Sequence, residues 1–250
     1  MNEKDSKKIR SVFTVKDKKH LTPHLIRVVF EINEEQLVWL SGVRSGSNNK
    51  LFISTSDEEK PQVRTYTNRQ IDLVAKELSI DFVHHGDNGL ASAWAINAAV
   101  GDSLEIGMKE SMRTLVPDAA HYLIAGDATA LPVIAAILEQ LPSGVKVKAF
   151  IEVATKEDEL VLSTTADVDL EWIHNPHPEQ GSVLAERVKA FEFEDNSLAS
   201  YIYLAAEYDI IKTLRYYFRV EKCWNPKEMY ACSYWKIGAK EGEHSDEIKP

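Results

Sequence analysis

Cysteine is nearly absent: Cys223 and Cys232 are the only two in 250 residues. That excludes a disulfide framework, and the pair lacks the spacing of a zinc or iron–sulfur site, so two buried thiols are expected. Long apolar runs are missing as well. No window approaches the roughly 18 consecutive apolar residues of a membrane span, and the charged start MNEKDSKKIR lacks the apolar stretch of a signal peptide. These absences predict a cytoplasmic protein without stable membrane insertion. Positive charge is in deficit, with 29 Lys and Arg against 39 Asp and Glu and a formal net charge of −10. Such a field opposes attraction to phosphate backbones and argues against nucleic acid as a partner. An anionic small molecule would need a local basic pocket set against that field. Internal repeats and low-complexity tracts are also lacking.

What is present is enough for a substantial core, with 44% hydrophobic and 27% charged residues. The hydrophobic period changes near residue 115. Before it lie short, turn-bounded segments rich in β-branched and aromatic residues, at 11–15, 25–30, 51–54, 63–69, 78–84 and 103–106, the pattern of a small antiparallel barrel. After it, strand-like runs alternate with helical ones at 122–125, 131–141, 147–153, 170–174, 183–191, 201–205 and 210–220, which predicts βαβ units around a parallel sheet. Pro117-Asp118-Ala119-Ala120 is the natural joint, giving a barrel over 1–116 and an α/β domain over 117–250 that ends in a polar tail after Gly238. A barrel followed by such a unit can hold a flavin at the seam and a nicotinamide opposite it.

Two motifs carry candidate chemistry. In Arg64-Thr65-Tyr66-Thr67 with Arg69, strand alternation points Arg64 and Tyr66 one way and Thr67 the other. An Arg offers a fork to a diphosphate, a Tyr ring covers a flat ligand, and a Thr hydroxyl bonds its polar edge. An exposed strand with ordinary cross-strand pairs is the plainer reading. In His84-His85-Gly86-Asp87-Asn88-Gly89-Leu90-Ala91-Ser92-Ala93-Trp94 a strand ends, a glycine turn follows and a helix begins, so its first amides can receive a diphosphate. Here the plainer reading is a strand–turn–helix capped by Ser92. His84 and His85 have no carboxylate or Cys companions at ligand spacing, so no metal site is expected.

These strings, in order, resemble the siderophore-interacting protein family of flavin-dependent ferric-siderophore reductases. The resemblance runs through Arg64-x-Tyr66-Thr67-x-Arg69, Ile80-Asp81-Phe82-Val83-x-His85-Gly86, Gly89-x-Ala91-Ser92-x-Trp94-Ala95 and Gly101-Asp102. It continues through Tyr122-Leu123-Ile124-Ala125-Gly126-Asp127-x-Thr129-Ala130-Leu131-Pro132, Phe150-Ile151-Glu152-Val153 and Tyr234-Trp235-Lys236-x-Gly238, covering roughly residues 10 to 240. It implies a ferredoxin-reductase-like fold with noncovalent FAD on the barrel and NADH or NADPH docking on the α/β half. Arg64, Thr65, Tyr66 and Thr67 would then serve the flavin and its diphosphate. Asp81, Val83 and His85 would lie along the adenosine part, and Gly89, Ala91 and Ser92 would bind diphosphate at the helix start.

Three positions depart from the family pattern: Leu90 replaces a usual proline, Ala128 a usual acidic residue, and Ala206 a usual glycine. The last could tighten the nicotinamide approach. In the α/β half, Asp127 and Thr129 follow a strand and can meet the dinucleotide, or simply shape a strand–helix turn. Glu152 ends the next strand, where a carboxylate accepts from a ribose 2′-hydroxyl and repels a 2′-phosphate, favouring NADH.

A ferric chelate is anionic, and Lys50, Lys109 and Lys236 fall in segments that the family places around the flavin mouth, with Arg44 and Arg113 as neighbours. Each is otherwise a solvated surface charge. Trp235 and Tyr234 can wall the pocket or anchor the tail against the barrel. No acid–base residue is needed on the iron side, because a hydride brings two electrons, Fe(III) takes one, and the flavin converts between them. The competing readings are a general NAD(P)H–flavin or quinone reductase, a non-catalytic siderophore-binding module, and the same reductase fed by a ferredoxin. Nothing in the pattern demands more than a monomer.

Overall fold

The structure is a computed structural model describing residues 8–54, 60–84, 89–111, 113–193 and 198–239. The chain divides into two compact units, Met1–Leu115 and Val116–Pro250.

The first unit holds β1 (Lys8–Thr22), β2 (Leu25–Glu31), α1 (Glu34–Leu40), β3 (Asn48–Ile53), β4 (Gln62–Thr67), β5 (Gln70–Asp72), β6 (Glu77–Val83), α2 (Leu90–Asn97) and β7 (Ser103–Lys109). Its strands form one seven-stranded sheet in the order β4-β3-β7-β1-β2-β6-β5, antiparallel throughout. The end strands β4 and β5 share no ladder, so the expected barrel is a half-barrel. Period-2 alternation decides its inside: Phe13, Phe30, Phe82, Ile26 and Ile80 are fully buried together, and burying each such side chain contributes about 1.5–3 kcal/mol. Helix α1, which strand periodicity does not announce, starts on a reciprocal capping box between Asn33 and Gln36. The single strand expected over 63–69 is broken at Asn68 and Arg69 into β4 and β5, both residues being buried.

The second unit holds β8 (His121–Asp127), α3 (Leu131–Gln140), β9 (Lys146–Val153), β10 (Asp167–His174), α4 (Leu184–Lys189), β11 (Ser200–Glu207), α5 (Tyr208–Tyr216) and β12 (Met229–Trp235). The sheet is parallel and ordered β10-β9-β8-β11-β12. Counted along the chain this is 3-2-1-4-5, the doubly wound order whose switch point lies between β8 and β11. Strand β8 is buried along its whole length, as an all-parallel central strand must be when both faces are covered. Gly126 is forced by packing: a Cβ there would lie 2.7 Å from the Ala205 carbonyl oxygen and 2.8 Å from both Ala130 Cβ and Ile134 Cδ1. The helical run expected over 210–220 is α5 followed by a π-helical turn, Tyr217–Glu221. The buried-thiol expectation is corrected, since Cys223 is exposed and Cys232 only half-buried. Cys223 leaves the π turn at φ +51°, a chain reversal that carries its side chain outward.

Candidate functional site

In the first unit, the strand carrying Arg64 to Thr67 runs beside β3, with Asn49 opposite Tyr66 and Lys50 opposite Thr65. Directly paired residues share a face. Tyr66, Arg64 and Asn49 therefore lie on the core side, and Thr65 and Lys50 on the outer side. The Tyr66 ring leans on Phe82 at 4.8 Å, and Phe82 on Trp94 at 5.7 Å, so β4, β6 and α2 together supply an aromatic wall. Arg64 donates to Gln62 Oε1 at 2.8 Å and to the Val63 carbonyl at 2.9 Å, which tethers the guanidinium to its own strand. Asn49 gives its amide to Asn68 at 2.8 Å, while its Oδ1 is buried without a hydrogen-bond partner. An orphaned acceptor beside an aromatic ring is costly unless a donor arrives.

The helix start completes this side. The N-cap of α2 is Gly89, which makes no side-chain cap, so the amides of Leu90 and Ala91 have no intrahelical acceptor. Ser92 is not the cap; it is a buried third residue of the helix, and Ala91 is buried beside it. Thr67 is buried, and Asp81 is buried with both oxygens on the Arg27 guanidinium at 2.6 and 2.7 Å. Arg69 stands 4.0 Å from the same carboxylate. Asp81 is thus held inside the half-barrel by cations of its own unit. Val83 closes β6 half-buried, and His85 lies outside the described residues.

In the second unit, the carboxyl ends of β8, β9 and β11 bring together three buried acids: Asp127, Glu152 and Glu207. Sequence reading marked the first two and passed over Glu207. Asp127 Oδ1 accepts from the Thr129 amide at 2.9 Å and its hydroxyl at 2.5 Å. Its Oδ2 accepts from the Glu207 amide at 2.9 Å and the Trp235 indole at 2.8 Å. One carboxylate therefore ties the ends of β8, β11 and β12 across the switch point. Burial pushes its pKa up against the pull of those four donors. Trp235 is thereby anchored to Asp127 within the α/β unit.

Glu152 accepts from Asn175 at 3.2 Å and from the Ser182 hydroxyl. Burial raises its pKa, and so does the neighbouring Asp127 charge. Glu207 caps α5, accepting from the Asp209 amide at 2.6 Å. The methyl of Ala206, where the family pattern has glycine, packs in the core with Ile211 and Leu214.

The three lysines fall in two groups. Lys50 and Lys109 share the outer face of the half-barrel, with Lys50 opposite Gly107 on β7 and Lys109 two residues along that strand. Lys50 donates to the Thr65 hydroxyl. Lys236 belongs to the second unit, its ammonium 4.4 Å above the Tyr208 ring. Among the described residues no group of three or more His, Cys, Asp or Glu could hold a metal ion, and no helix is long and apolar enough to cross a membrane.

Comparison with known proteins agrees with this geometry. A half-barrel followed by a doubly wound parallel sheet defines a ferredoxin-reductase-like fold, and the Plasmodium falciparum ferredoxin–NADP+ reductase superposes with a TM-score of 0.61 at 10% identity, covering 90% of this chain and 96% of that one. Residues 34–109 match the siderophore-interacting FAD-binding domain, and residues 119–238 match the siderophore-interacting protein profile. The chain is 30% identical to an uncharacterised Mycobacterium tuberculosis protein, covering 92% of this chain and 91% of that one. It is 28% identical to the ferric vibriobactin reductase ViuB of Vibrio cholerae, covering 92% and 90%. The crystal structure of the siderophore-interacting protein SipS from Aeromonas hydrophila superposes with a TM-score of 0.82 at 28% identity, covering 96% of each chain. The chain belongs to the siderophore-interacting protein family.

Proposed function

We propose that this FAD-dependent oxidoreductase reduces ferric siderophores with electrons from NAD(P)H, NADH preferred, and releases iron as Fe(II). Relatives carrying the names ferric vibriobactin reductase and ferric acinetobactin reductase, each 28% identical, support the substrate class. The observation that carries the reading is local: within the matched FAD-binding domain, the uncapped start of α2, the Tyr66 ring and the orphaned Asn49 Oδ1 are what a flavin dinucleotide requires. FAD, when bound, supplies a carrier that takes two electrons from a nicotinamide and gives them up singly to Fe(III).

The protein's own work is positional. Arg64 and the α2 amides hold the diphosphate, and Tyr66 covers the ring. Thr67, Asp81, Val83, Gly89, Ala91 and Ser92 shape the remainder of that cradle, while Thr65 steadies Lys50 on the outer face. Asp127 and Thr129 keep the C-terminal edge of the parallel sheet in the form that receives the donor. Glu152, a carboxylate at that edge, repels a 2′-phosphate and so favours NADH. Lys50, Lys109 and Lys236 hold the anionic chelate as substrate. Fe(II) is then released because hard oxygen ligands retain it weakly. A reaction drawing on NAD(P)H belongs in the cytoplasm, where that pool resides.

An anaerobic stopped-flow experiment tests the reading. The yellow protein is expected to bleach with NADH and recover its flavin bands on mixing with a ferric siderophore. Recovery only after chemical reduction would transfer the donor role to another protein such as a ferredoxin. A colourless protein, or reduced flavin indifferent to ferric chelate, would overturn the proposal. A lower KM for NADPH at equal turnover would sink the NADH preference alone.

A further inference from the structure

The chain carries a net charge of −10, yet one face of α5 and the π turn after it is strongly basic. Lys212, Arg215 and Arg219 follow one another at i, i+3 and i+7, so they line one side of the helix. With Tyr208, Tyr216 and Ser233 of β12 they border a groove of about 290 Å³. Like charges at this spacing repel, and no ion pair to a carboxylate is formed by any of the three among the described residues. The Nε atoms of both Arg215 and Arg219 are buried without a hydrogen-bond partner. Two ammonium groups flank the Tyr208 ring, Lys236 at 4.4 Å and Lys212 at 5.8 Å.

Ordinary structural roles explain part of this and no more. Arg215 gives one NH2 to the Ala231 carbonyl at 2.6 Å, and cations near a helix C-terminus are favoured by the negative end of its dipole. Neither role accounts for two guanidinium forks with their inner N–H groups shielded from water and unpaired, an arrangement that costs free energy until an acceptor fills it. The π-helical turn is itself uncommon, and such turns recur at functional sites. Depression of the Arg215 pKa, first by burial and then by Arg219, is the same repulsion seen from the proton's side.

We infer that the groove between α5 and β12 binds a small multivalent oxyanion, held by the forks of Arg215 and Arg219 and by the Lys212 ammonium. Guanidinium forks match phosphoryl and carboxylate oxygens alike, so the shared chemistry is a compact cluster of anionic oxygens. A phosphorylated metabolite and a polycarboxylate are its two sources. The groove uses none of the residues assigned above to FAD or the nicotinamide, and its Tyr208 ring lies beneath the Lys236 ammonium.

The test uses the FAD-loaded full-length protein, titrated with inorganic pyrophosphate in one arm and citrate in the other. Binding is followed by calorimetry and by the NMR resonances of the arginine Nε–H groups. We expect one or both anions to bind, with the Nε–H resonances of Arg215 and Arg219 shifting. Arg219→Gln should weaken binding at least tenfold, as should Lys212→Gln on the exposed rim, which leaves the fold untouched. Response to pyrophosphate identifies a phosphoryl ligand, and response to citrate alone a polycarboxylate. Binding that leaves the two arginine resonances unmoved, or that persists in both variants, overturns the proposal. So does indifference to both anions, including the case in which an acidic protein binds this face instead. Reductase activity is not the readout, so failure here is separable from failure of the proposed function.

Discussion

The two units treat their candidate residues in opposite ways. In the half-barrel, Gly89 gives the α2 start no side-chain cap and the Asn49 oxygen has no hydrogen-bond partner among the described residues. At the edge of the parallel sheet, the motif carboxylates are already satisfied from within: Asp127 takes four donors and Glu152 two. The first pattern is that of a resident ligand whose groups complete the local chemistry. The second is that of a surface held in shape so that a transient ligand finds backbone and contour instead of free side chains. On the proposed function Tyr66 and the α2 start mark contacts in the first unit, whereas Asp127 in the second, like Asp81 in the first, is a brace.

The sharpest way to break this comparison is Gly126→Ala. If the glycine serves packing between β8, α3 and β11, the added methyl meets backbone and core below 3 Å and should cost about 3 kcal/mol, the upper end for overpacking. Thermal unfolding would show a lowered Tm, whereas unchanged stability would mean that packing does not require a glycine at 126. Arg64→Ala comes next. Loss of a charge-assisted contact worth about 1.5–3 kcal/mol should raise the FAD Kd at least tenfold without lowering the Tm of the apoprotein. Full flavin occupancy in the purified variant would place the diphosphate elsewhere.

The smallest effect is expected from Glu152→Gln, read as a pH dependence. Burial raises the Glu152 pKa above its ordinary range, so between the unfolded and folded values the native state binds more protons than the unfolded chain. Its contribution to stability is present at low pH and is lost as pH rises through the folded value. The stability of the wild type relative to Glu152→Gln should fall on going from acid to neutral pH. A difference that grows with pH instead would mean that the ionised carboxylate is favoured at that edge.

Much of the architecture was legible because it is periodic. The alternation of Leu78, Ile80 and Phe82 in β6 and the apolar runs of β2, β8 and β9 mark their own positions. Strand β12 was not read as a strand, since Met229–Trp235 mixes Tyr, Cys, Ser and Trp without a clean period and is fixed by pairing with β11. Helix α1 was missed because its signal is the Asn33–Gln36 cap and not an apolar stripe. The flavin motif was readable as a local string. Asp127 was readable as a candidate but not as a brace, because its indole partner lies 108 residues away in sequence. Arg215 and Arg219 did carry a local signal, basic residues repeating at helical spacing within an acidic chain.

The bond from Arg215 to the Ala231 carbonyl has a consequence for how copies of this protein meet. Among the described residues strand β12 is the last in its sheet, and an unprotected edge invites another chain to add a strand. The Arg215 guanidinium, bonded to a main-chain carbonyl of that strand, places a positive charge beside it. Stacking by edge addition would have to strip the carbonyl of its cap and bury the charge at once. The residue to which the anion proposal assigns the groove would thus also disfavour growth of the sheet.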